Sequence, residues 1–374
     1  MRALPFSINP ALSTLPVYQP GRPIEEVARE VGLPAEEIIK LASNENPLGP
    51  SQLALRAMRN AAAQVNLYPD GGSFLLKQKL AQHLGVTPGH VLLGSGSNEV
   101  IELLGHALLS SSAEVIASQY CFAVYPIVAA LFGAKLSLVP ARNYGHDLEA
   151  MLRAITANTR IVFVANPNNP TGTSVASEPL KHFIEAVPSS VVIALDQAYI
   201  EFQDEPLDLL PEIRTGARPN LLLMRTFSKI YGLAGLRLGY GIGHPDFIAE
   251  LNKVRQPFNI NSLAQAAALA GLDDREHVER TRRNNAKGLN FYARELRKLN
   301  LELIPSSANF ILVRVGDGQR VFNELQRRGV IVRPMGGYQL PEWIRISVGT
   351  PKQNQRCLEA LKTVLSVTTQ ISII

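Results

Sequence analysis

The chain has 374 residues, of which 46% are hydrophobic and 18% charged, and its formal net charge is +5. This length allows two domains with a large core. The basic residues are scattered and accompany no nucleic-acid-binding motif, so they fit anionic small molecules better than DNA or RNA.

The two cysteines, Cys121 and Cys357, and the seven histidines lack the spacing of metal sites. We therefore predict no metal and no disulfide, and a reducing compartment, the cytoplasm. No apolar run approaches the length of a membrane span, and Pro and Asn interrupt the N-terminus where a signal sequence would need an unbroken apolar core.

Residues 1–35 are rich in proline and predict an arm with one short helix, Ile24 to Val31. Tyr18, in the segment PVYQPG, is the aromatic residue of interest in this arm. An aromatic anchor in a proline-rich arm either packs against the body of the protein or contacts a ligand, and both alternatives stay open from the residues alone.

The first strand, Ile38 to Ala42, ends in the turn-rich loop SNENPLGP, where Asn44 could bond a ligand or its own backbone. Ser51 then caps a helix. The loop NLYPDGG carries Tyr68 and precedes a helix from Ser73 to about Leu84. These segments predict two helices before the main sheet begins.

A buried strand, Val91 to Leu93, is followed by GSGSN at 94–98 and by an apolar helix. A strand, a glycine-rich turn and a helix together aim backbone N–H groups and the positive end of the helix dipole at an anion. Ser97 and Asn98 lie at that helix N-terminus. A lone G-x-G is weak evidence for an anion site, because a helix cap with nothing bound has the same pattern.

Strands and helices alternate from here to Gly241, which predicts a mainly parallel sheet covered on both faces. Ligands of such sheets collect at the carboxyl ends of the strands. The polar clusters of the sequence all fall at such ends, namely GSGSN, NPNNPTG at 166–172, DQAY at 196–199 and TFSK at 226–229.

Lys229 follows the apolar strand that begins at Leu221, and a lysine there can lose hydration, which lowers its pKa and makes its amine nucleophilic. Ser228, Thr226 and Arg237 beside it are good phosphate ligands. A Schiff-base lysine and phosphate ligands on one segment would suit pyridoxal phosphate, and an ordinary surface lysine after a strand is the alternative that this segment alone leaves open.

Asp196 emerges from a continuous apolar strand, where the pyridinium nitrogen of that cofactor would be a suitable partner. Tyr199 and Asn169 could both reach the phenolic oxygen of the cofactor ring. A helix cap or a buried salt bridge is the structural alternative for Asp196.

After Gly241 the pattern changes to long helices and then to a mixture of strands and helices. We predict three parts: an N-terminal arm at 1–35, a large cofactor-binding domain at 36–258, and a small α+β domain at 259–374, joined in space by the N-terminal segment. The predicted fold class is therefore α/β, with a mostly parallel sheet covered by helices and a smaller α+β domain.

The motifs NPNNPTG, DQAY, TFSK with an arginine eight residues after the lysine, and a late RISVGT together resemble the fold-type I pyridoxal-phosphate aminotransferases over nearly the whole chain. PVYQPG, NENP, LYPDGG and IRISVGT are similar to the histidinol-phosphate aminotransferases within that superfamily. The resemblance implies a homodimer with shared active sites, acting on small-molecule substrates: histidinol phosphate with 2-oxoglutarate, or glutamate in reverse.

The resemblance also implies roles for individual residues. Lys229 would bind the cofactor covalently and carry the proton of the reaction, with Asp196 and Tyr199 as the other catalytic groups. The cofactor-binding set would be Lys229, Asp196, Tyr199, Asn169, Phe122, Ser97, Asn98, Ser228, Arg237, Thr226 and, from the neighbouring subunit, Tyr68. The substrate's anionic groups would be bound by Arg345, Arg333, Tyr18 and Asn44.

Two departures from the family pattern leave points open. The family often has Pro-Thr-aromatic where this chain has Tyr120, Cys121 and Phe122, so we assign ring stacking to Phe122, with Tyr120 as the alternative. Asn98 stands where Asp is frequent.

No motif in the sequence identifies the residues that determine which amino acid is the substrate. An aromatic amino-acid aminotransferase, or a threonine-phosphate decarboxylase, is therefore an alternative function. A non-catalytic cofactor-binding domain of a regulator is disfavoured, because no DNA-binding segment is present.

Overall fold

The computed structural model describes residues 6, 8, 10–13, 15 and 21–371. Tyr18 lies outside the described residues. The helices are α1 Ile24–Val31, α2 Gln52–Ala61, α3 Phe74–Leu84, α4 Ser97–Leu108, α5 Val124–Leu131, α6 Leu148–Arg153, α7 Ser177–Ala186, α8 Leu210–Thr215, α9 Pro245–Lys253, α10 Ser262–Gly271, α11 Arg275–Lys298, α12 Gly318–Arg327 and α13 Pro351–Ile371. The strands are β1 Ile39–Lys40, β2 Val91–Gly94, β3 Glu114–Ser118, β4 Lys135–Val139, β5 Thr159–Ala165, β6 Val192–Asp196, β7 Leu221–Thr226, β8 Gly239–Ile242, β9 Leu303–Ile304, β10 Phe310–Arg314, β11 Val330–Ile331, β12 Arg333–Pro334 and β13 Trp343–Ser347.

The large sheet has the strand order β2-β8-β7-β6-β5-β3-β4. Adjacent strands are parallel, except that β8 is antiparallel to both β2 and β7. Successive residues of β7 face opposite sides: Leu221 and Leu223 belong to one hydrophobic core, Leu222 and Met224 to the other. Helices cover both faces, which is why the strands read as continuous apolar runs. The predicted fold class is confirmed.

β8 is antiparallel to both of its neighbours and was not predicted, because its sequence, GYGI, reads as a glycine-rich loop. Its glycines have a packing reason. A Cβ at Gly239 would overlap the backbone nitrogen of Ser97, and one at Gly241 would press on Val100 and Leu222. The strand therefore lets the start of α4 lie directly against the sheet.

The smaller sheet has the order β12-β13-β10-β9 and is antiparallel. Its core is shared with α11, α12 and α13 through residues such as Tyr292, Leu325 and Leu361. β1 pairs in parallel with β11, Ile39 opposite Val330, so the chain just after the arm is tied to this part of the molecule.

The division into three parts stays a prediction, and one element bears on its boundary. The sequence-based division ends the large domain at residue 258. Helix α10, with Ala264, Ala267 and Ala268, lies in the core of the large sheet and packs closely against α2. This packing favours a boundary after residue 271.

No helix among the described residues is both long and apolar enough to cross a membrane. Nor does that part of the chain contain a group of three or more His, Cys, Asp or Glu placed to hold a metal ion.

Candidate active site

The carboxyl ends of the large sheet's central strands open into a cavity of about 370 Å³, bounded on its other side by the small sheet. The strand-end loops of the sequence analysis meet here, as expected for parallel strands. The predicted site residues that line it are Asn44, Ser97, Asn98, Phe122, Asn169, Asp196, Tyr199, Thr226, Ser228, Lys229, Arg237, Arg333 and Arg345.

Lys229 lies at the centre of this set. Its Nζ donates a hydrogen bond to the Ser43 carbonyl oxygen at 3.3 Å and lies 5.6 Å from the centre of the Tyr199 ring. Burial, with help from the nearby Arg345 charge, lowers the pKa of Lys229 to about 8. Its amine is therefore deprotonated far more readily than that of an ordinary lysine, as a nucleophile requires.

Asp196 ends β6 and is 5% exposed. The Tyr125 hydroxyl donates to its Oδ2 at 2.8 Å and the Ala198 backbone N–H to its Oδ1 at 3.0 Å. Burial raises the pKa of the Asp196 carboxyl, against the effect of these bonds. A buried carboxylate lining a cavity is best stabilised by a cationic partner within that cavity.

Asn44 orients Tyr199, because the Asn44 Nδ2 donates a hydrogen bond to the Tyr199 hydroxyl oxygen at 2.9 Å. Burial raises the pKa of Tyr199 to about 12. Asn44 has a positive φ of 55° and is fixed in turn by Ser347, whose Oγ accepts its backbone N–H at 2.9 Å. Tyr199 is therefore a protonated, oriented hydroxyl that can donate a hydrogen bond into the cavity.

The N-terminus of α4 is a candidate anion site. Gly96 caps the helix with a φ of 79°, and a Cβ there would overlap the guanidinium of Arg237. Ser97 and Asn98 begin the helix, so free backbone N–H groups and the Arg237 charge lie together. The predicted phosphate ligands thus come together, with the hydroxyl of Thr226 partly engaged in the turn, since it accepts from the Ser228 N–H at 3.1 Å.

A second cationic region lies toward the small sheet. Arg345 is 6% exposed; its Nη1 donates to Asn169 Oδ1 at 2.6 Å and its Nη2 to the Ala42 carbonyl at 3.0 Å. Arg333 lies directly opposite Arg345 on the neighbouring strand, so their side chains point to the same face. Two guanidiniums at one wall suit a carboxylate or a phosphate.

Three aromatic predictions have different outcomes in the structure. Phe122 lines the cavity, whereas Tyr120 packs on Tyr144 with ring centres 6.0 Å apart. This placement favours Phe122 for ring stacking. Tyr68 is 82% exposed, does not line the cavity, and stacks on Phe258 at 4.7 Å, so within one chain it takes no part in the site.

Sequence reasoning missed several lining or supporting residues. Tyr125, which bonds Asp196, was not predicted to take part in the site. Glu45, Tyr338 and the Ser43 carbonyl were not singled out, although Glu45 lies inside the NENP motif. Only the motif position of Glu45 could have indicated it, because the other contacts depend on chain segments far apart in sequence.

These residues fit pyridoxal phosphate, the cofactor that the motifs imply. Asp196 is a buried carboxylate that would be stabilised by a protonated ring nitrogen, and Lys229 is a lysine of lowered pKa that suits attachment to an aldehyde. The glycine turn before α4 suits a phosphate, because Gly96 has no Cβ to occupy the space beside the Arg237 guanidinium.

Comparison with known proteins agrees with this chemistry. The family described as aminotransferase class I and II matches residues 36–361. A curated histidinol-phosphate aminotransferase of Akkermansia muciniphila is 53% identical over 358 residues, which is 96% of this chain and 98% of that protein. Histidinol-phosphate aminotransferase 2 of Ralstonia nicotianae is 50% identical over 355 residues, covering 93% and 94% of the two chains.

A solved structure has the same fold. The histidinol-phosphate aminotransferase of Sinorhizobium meliloti, in complex with pyridoxal-5′-phosphate, matches with a TM-score of 0.89 and 28% identity, over 98% of this chain and 99% of that one.

Proposed function

Because the chain belongs to the class I and II aminotransferases, we propose that it is a pyridoxal-phosphate-dependent histidinol-phosphate aminotransferase. It converts histidinol phosphate and 2-oxoglutarate to imidazole acetol phosphate and glutamate, a step of histidine biosynthesis. The observation that carries this function is the convergence of Lys229, Asp196 and the paired arginines on one cavity, in a chain about half identical to histidinol-phosphate aminotransferases over nearly its full length.

Pyridoxal phosphate, when bound, supplies the electron sink that stabilises negative charge at the substrate Cα. The residues of the chain supply the proton handling. Asp196 holds the proton at the ring nitrogen, and the Tyr199 hydroxyl donates toward the phenolic oxygen, together with Asn169. The Lys229 amine, with its pKa of about 8, would accept the proton from the substrate Cα and deliver it to the C4′ carbon of the cofactor.

The anion site at the start of α4 would hold the cofactor phosphate through the backbone N–H groups of Ser97 and Asn98 and the side chains of Ser228 and Arg237. Phe122 would stack on the ring.

Arg345 and Arg333 would bind the carboxylate of glutamate or the phosphate of histidinol phosphate in turn, which allows one pocket to serve both half-reactions. We include Asn44 and Tyr18 in this pocket as a prediction from the family resemblance.

We also propose that the active unit is a homodimer in which Tyr68 reaches the cofactor phosphate of the partner. An exposed apolar surface around Tyr68 supports this proposal, since such patches mark interfaces. The members of this surface, each at least 46% exposed, are Val65, Leu67, Tyr68, Phe74, Leu75 and Phe258.

A mixing experiment tests the shared site. Lys229→Ala and Tyr68→Ala variants are each expected to be inactive or weakly active as homodimers. After subunit exchange, a hybrid dimer has one site with both Lys229 and Tyr68, so activity returns. Proven exchange without recovery of activity would contradict the shared site.

We infer a cytoplasmic location, which the two free, buried cysteines Cys121 and Cys357 support.

The half-reaction of the purified enzyme tests the function itself. Loss of the visible absorbance of the lysine-bound cofactor is followed on adding histidinol phosphate, then phenylalanine or tyrosine, then threonine phosphate. Fast conversion by histidinol phosphate is the expected result. A preference for the aromatic amino acids, or release of CO2 from threonine phosphate, would replace the proposed substrate while leaving the cofactor chemistry of Lys229 in place.

A further inference from the structure

The charges around the cavity are unevenly distributed. Its lining contains the cations Lys229, Arg237, Arg333 and Arg345, and the carboxylates Asp196 and Glu45. Asp196 is almost fully buried and already accepts bonds from Tyr125 and from the Ala198 backbone. Among the described lining residues, Glu45 is therefore the anionic group available to a substrate.

The backbone on either side of Glu45 is anchored to the reaction centre. The Ser43 carbonyl accepts from Lys229 Nζ at 3.3 Å, and Asn44 Nδ2 donates to Tyr199 at 2.9 Å. On the other side, Asn46 Nδ2 donates to the Ile230 carbonyl at 2.9 Å. Glu45 is thus held close to the lysine, and its negative charge acts to raise the pKa of Lys229, against the larger effect of burial.

The Glu45 carboxylate also has hydrogen-bonding capacity left. Its Oε1 accepts from Lys40 Nζ at 3.0 Å, and its side chain is 43% exposed. A carboxylate has about four acceptor positions on its two oxygens. Oε2 can therefore accept a further bond while the pair with Lys40 persists.

We propose that Glu45 is the specificity-determining residue that accepts a hydrogen bond from an imidazole N–H of histidinol phosphate. The substrate's phosphate suits the cationic wall, and its imidazole carries an N–H that needs an acceptor, which Glu45 provides. Glutamate has no such donor at that end, so Glu45 distinguishes the two substrates. This inference rests on the proposed function.

Two variants at Glu45 and one control test the proposal. Glu45→Met removes the charge and the acceptor while keeping an unbranched chain of similar length. Glu45→Gln keeps an acceptor oxygen without the charge. Lys40→Met breaks the Glu45–Lys40 ion pair but leaves the Glu45 carboxylate, so it measures the effect of losing the ion pair alone. The kcat/KM of each half-reaction is measured separately for histidinol phosphate and for glutamate.

We expect Glu45→Met to lower kcat/KM for histidinol phosphate at least tenfold, and Glu45→Gln to lower it less. The glutamate half-reaction should stay within threefold of the wild type, or rise because a like charge is removed. Lys40→Met should change both half-reactions by less than threefold.

Equal losses in both half-reactions would show that Glu45 acts through Lys229 or the fold, which would overturn the inference alone. A wild-type enzyme that does not convert histidinol phosphate would overturn the inference together with the proposed function.

Discussion

Tyr125 is the supporting residue whose removal gives the sharpest test of the site. Its hydroxyl donates to Asp196 Oδ2 at 2.8 Å, and its ring is fully buried, stacked on Phe163 with ring centres 4.4 Å apart. Tyr125→Phe removes the hydroxyl and leaves the ring, so the packing changes little while Asp196 loses one of its two donors.

A hydrogen bond to a charged group contributes roughly 1.5–3 kcal/mol. If the ion pair between Asp196 and the cofactor ring depends on that bond, its loss weakens cofactor binding by about 10- to 150-fold, since each 1.4 kcal/mol is tenfold. The bond lowers the pKa of the Asp196 carboxyl, so the variant's carboxyl pKa is expected to rise further. The carboxylate then holds the proton at the ring nitrogen less well, and kcat falls as well.

The assay is a titration of cofactor-free protein with pyridoxal phosphate, followed by absorbance, together with kcat at saturating cofactor. Tyr292→Phe is the matched control, because it also removes a buried tyrosine hydroxyl but lies in the core of the small sheet. A wild-type cofactor affinity and a wild-type kcat in Tyr125→Phe would refute the reasoning. Equal losses in both variants would assign the effect to stability.

Lys229→Ala should abolish turnover and the cofactor's lysine-dependent absorbance while circular dichroism stays native; retained activity would contradict the role of Lys229. Gly96→Ala should weaken cofactor binding at least tenfold, since a Cβ at this positive φ is strained and would displace the Arg237 guanidinium from the phosphate site; unchanged affinity would place the phosphate elsewhere. Burial raises the pKa of the Glu201 carboxyl to about 7 from its ordinary 4.5, so the folded state favours the neutral carboxyl. The resulting contribution to folding stability is fully present below pH 4.5 and is lost as pH rises through 7. Glu201→Gln should therefore be more stable than the wild type at pH 8, by up to about 3 kcal/mol in denaturant unfolding, with no gain near pH 4.5.

The strands of the large sheet were predictable because buried parallel strands are continuous apolar runs with polar turns at their ends. β7, for example, begins at Leu221, where the apolar strand before Lys229 was predicted to begin. The site residues could be located for the same reason. Parallel strands end at one edge of a sheet, so once a strand is predicted, the motif at its end is predicted to lie at that edge.

β8 and helix α10 show where this reasoning fails. The glycines of β8 argue for a loop on propensity, and only close packing explains them, of Ser97 against Gly239 and of Val100 and Leu222 against Gly241. Helix α10 is apolar and alanine-rich and follows a break in the strand–helix pattern, so nothing local shows which of two cores it joins. Both cases are decided by tertiary packing, on which a single sequence carries no direct information.

The contacts between the two sheets explain why the site's supporting residues could not be predicted. Asn44 bonds Ser347 of β13 through its backbone and Tyr199 through its side chain, while Arg345 of β13 bonds the Ala42 carbonyl and Asn169. Each of these bonds joins segments more than 150 residues apart. The orientation of Tyr199 and Asn169 therefore depends on β13 being packed in place. The geometry of the cavity therefore depends on the contacts between the two sheets, so a change at this junction should impair cofactor and substrate binding together.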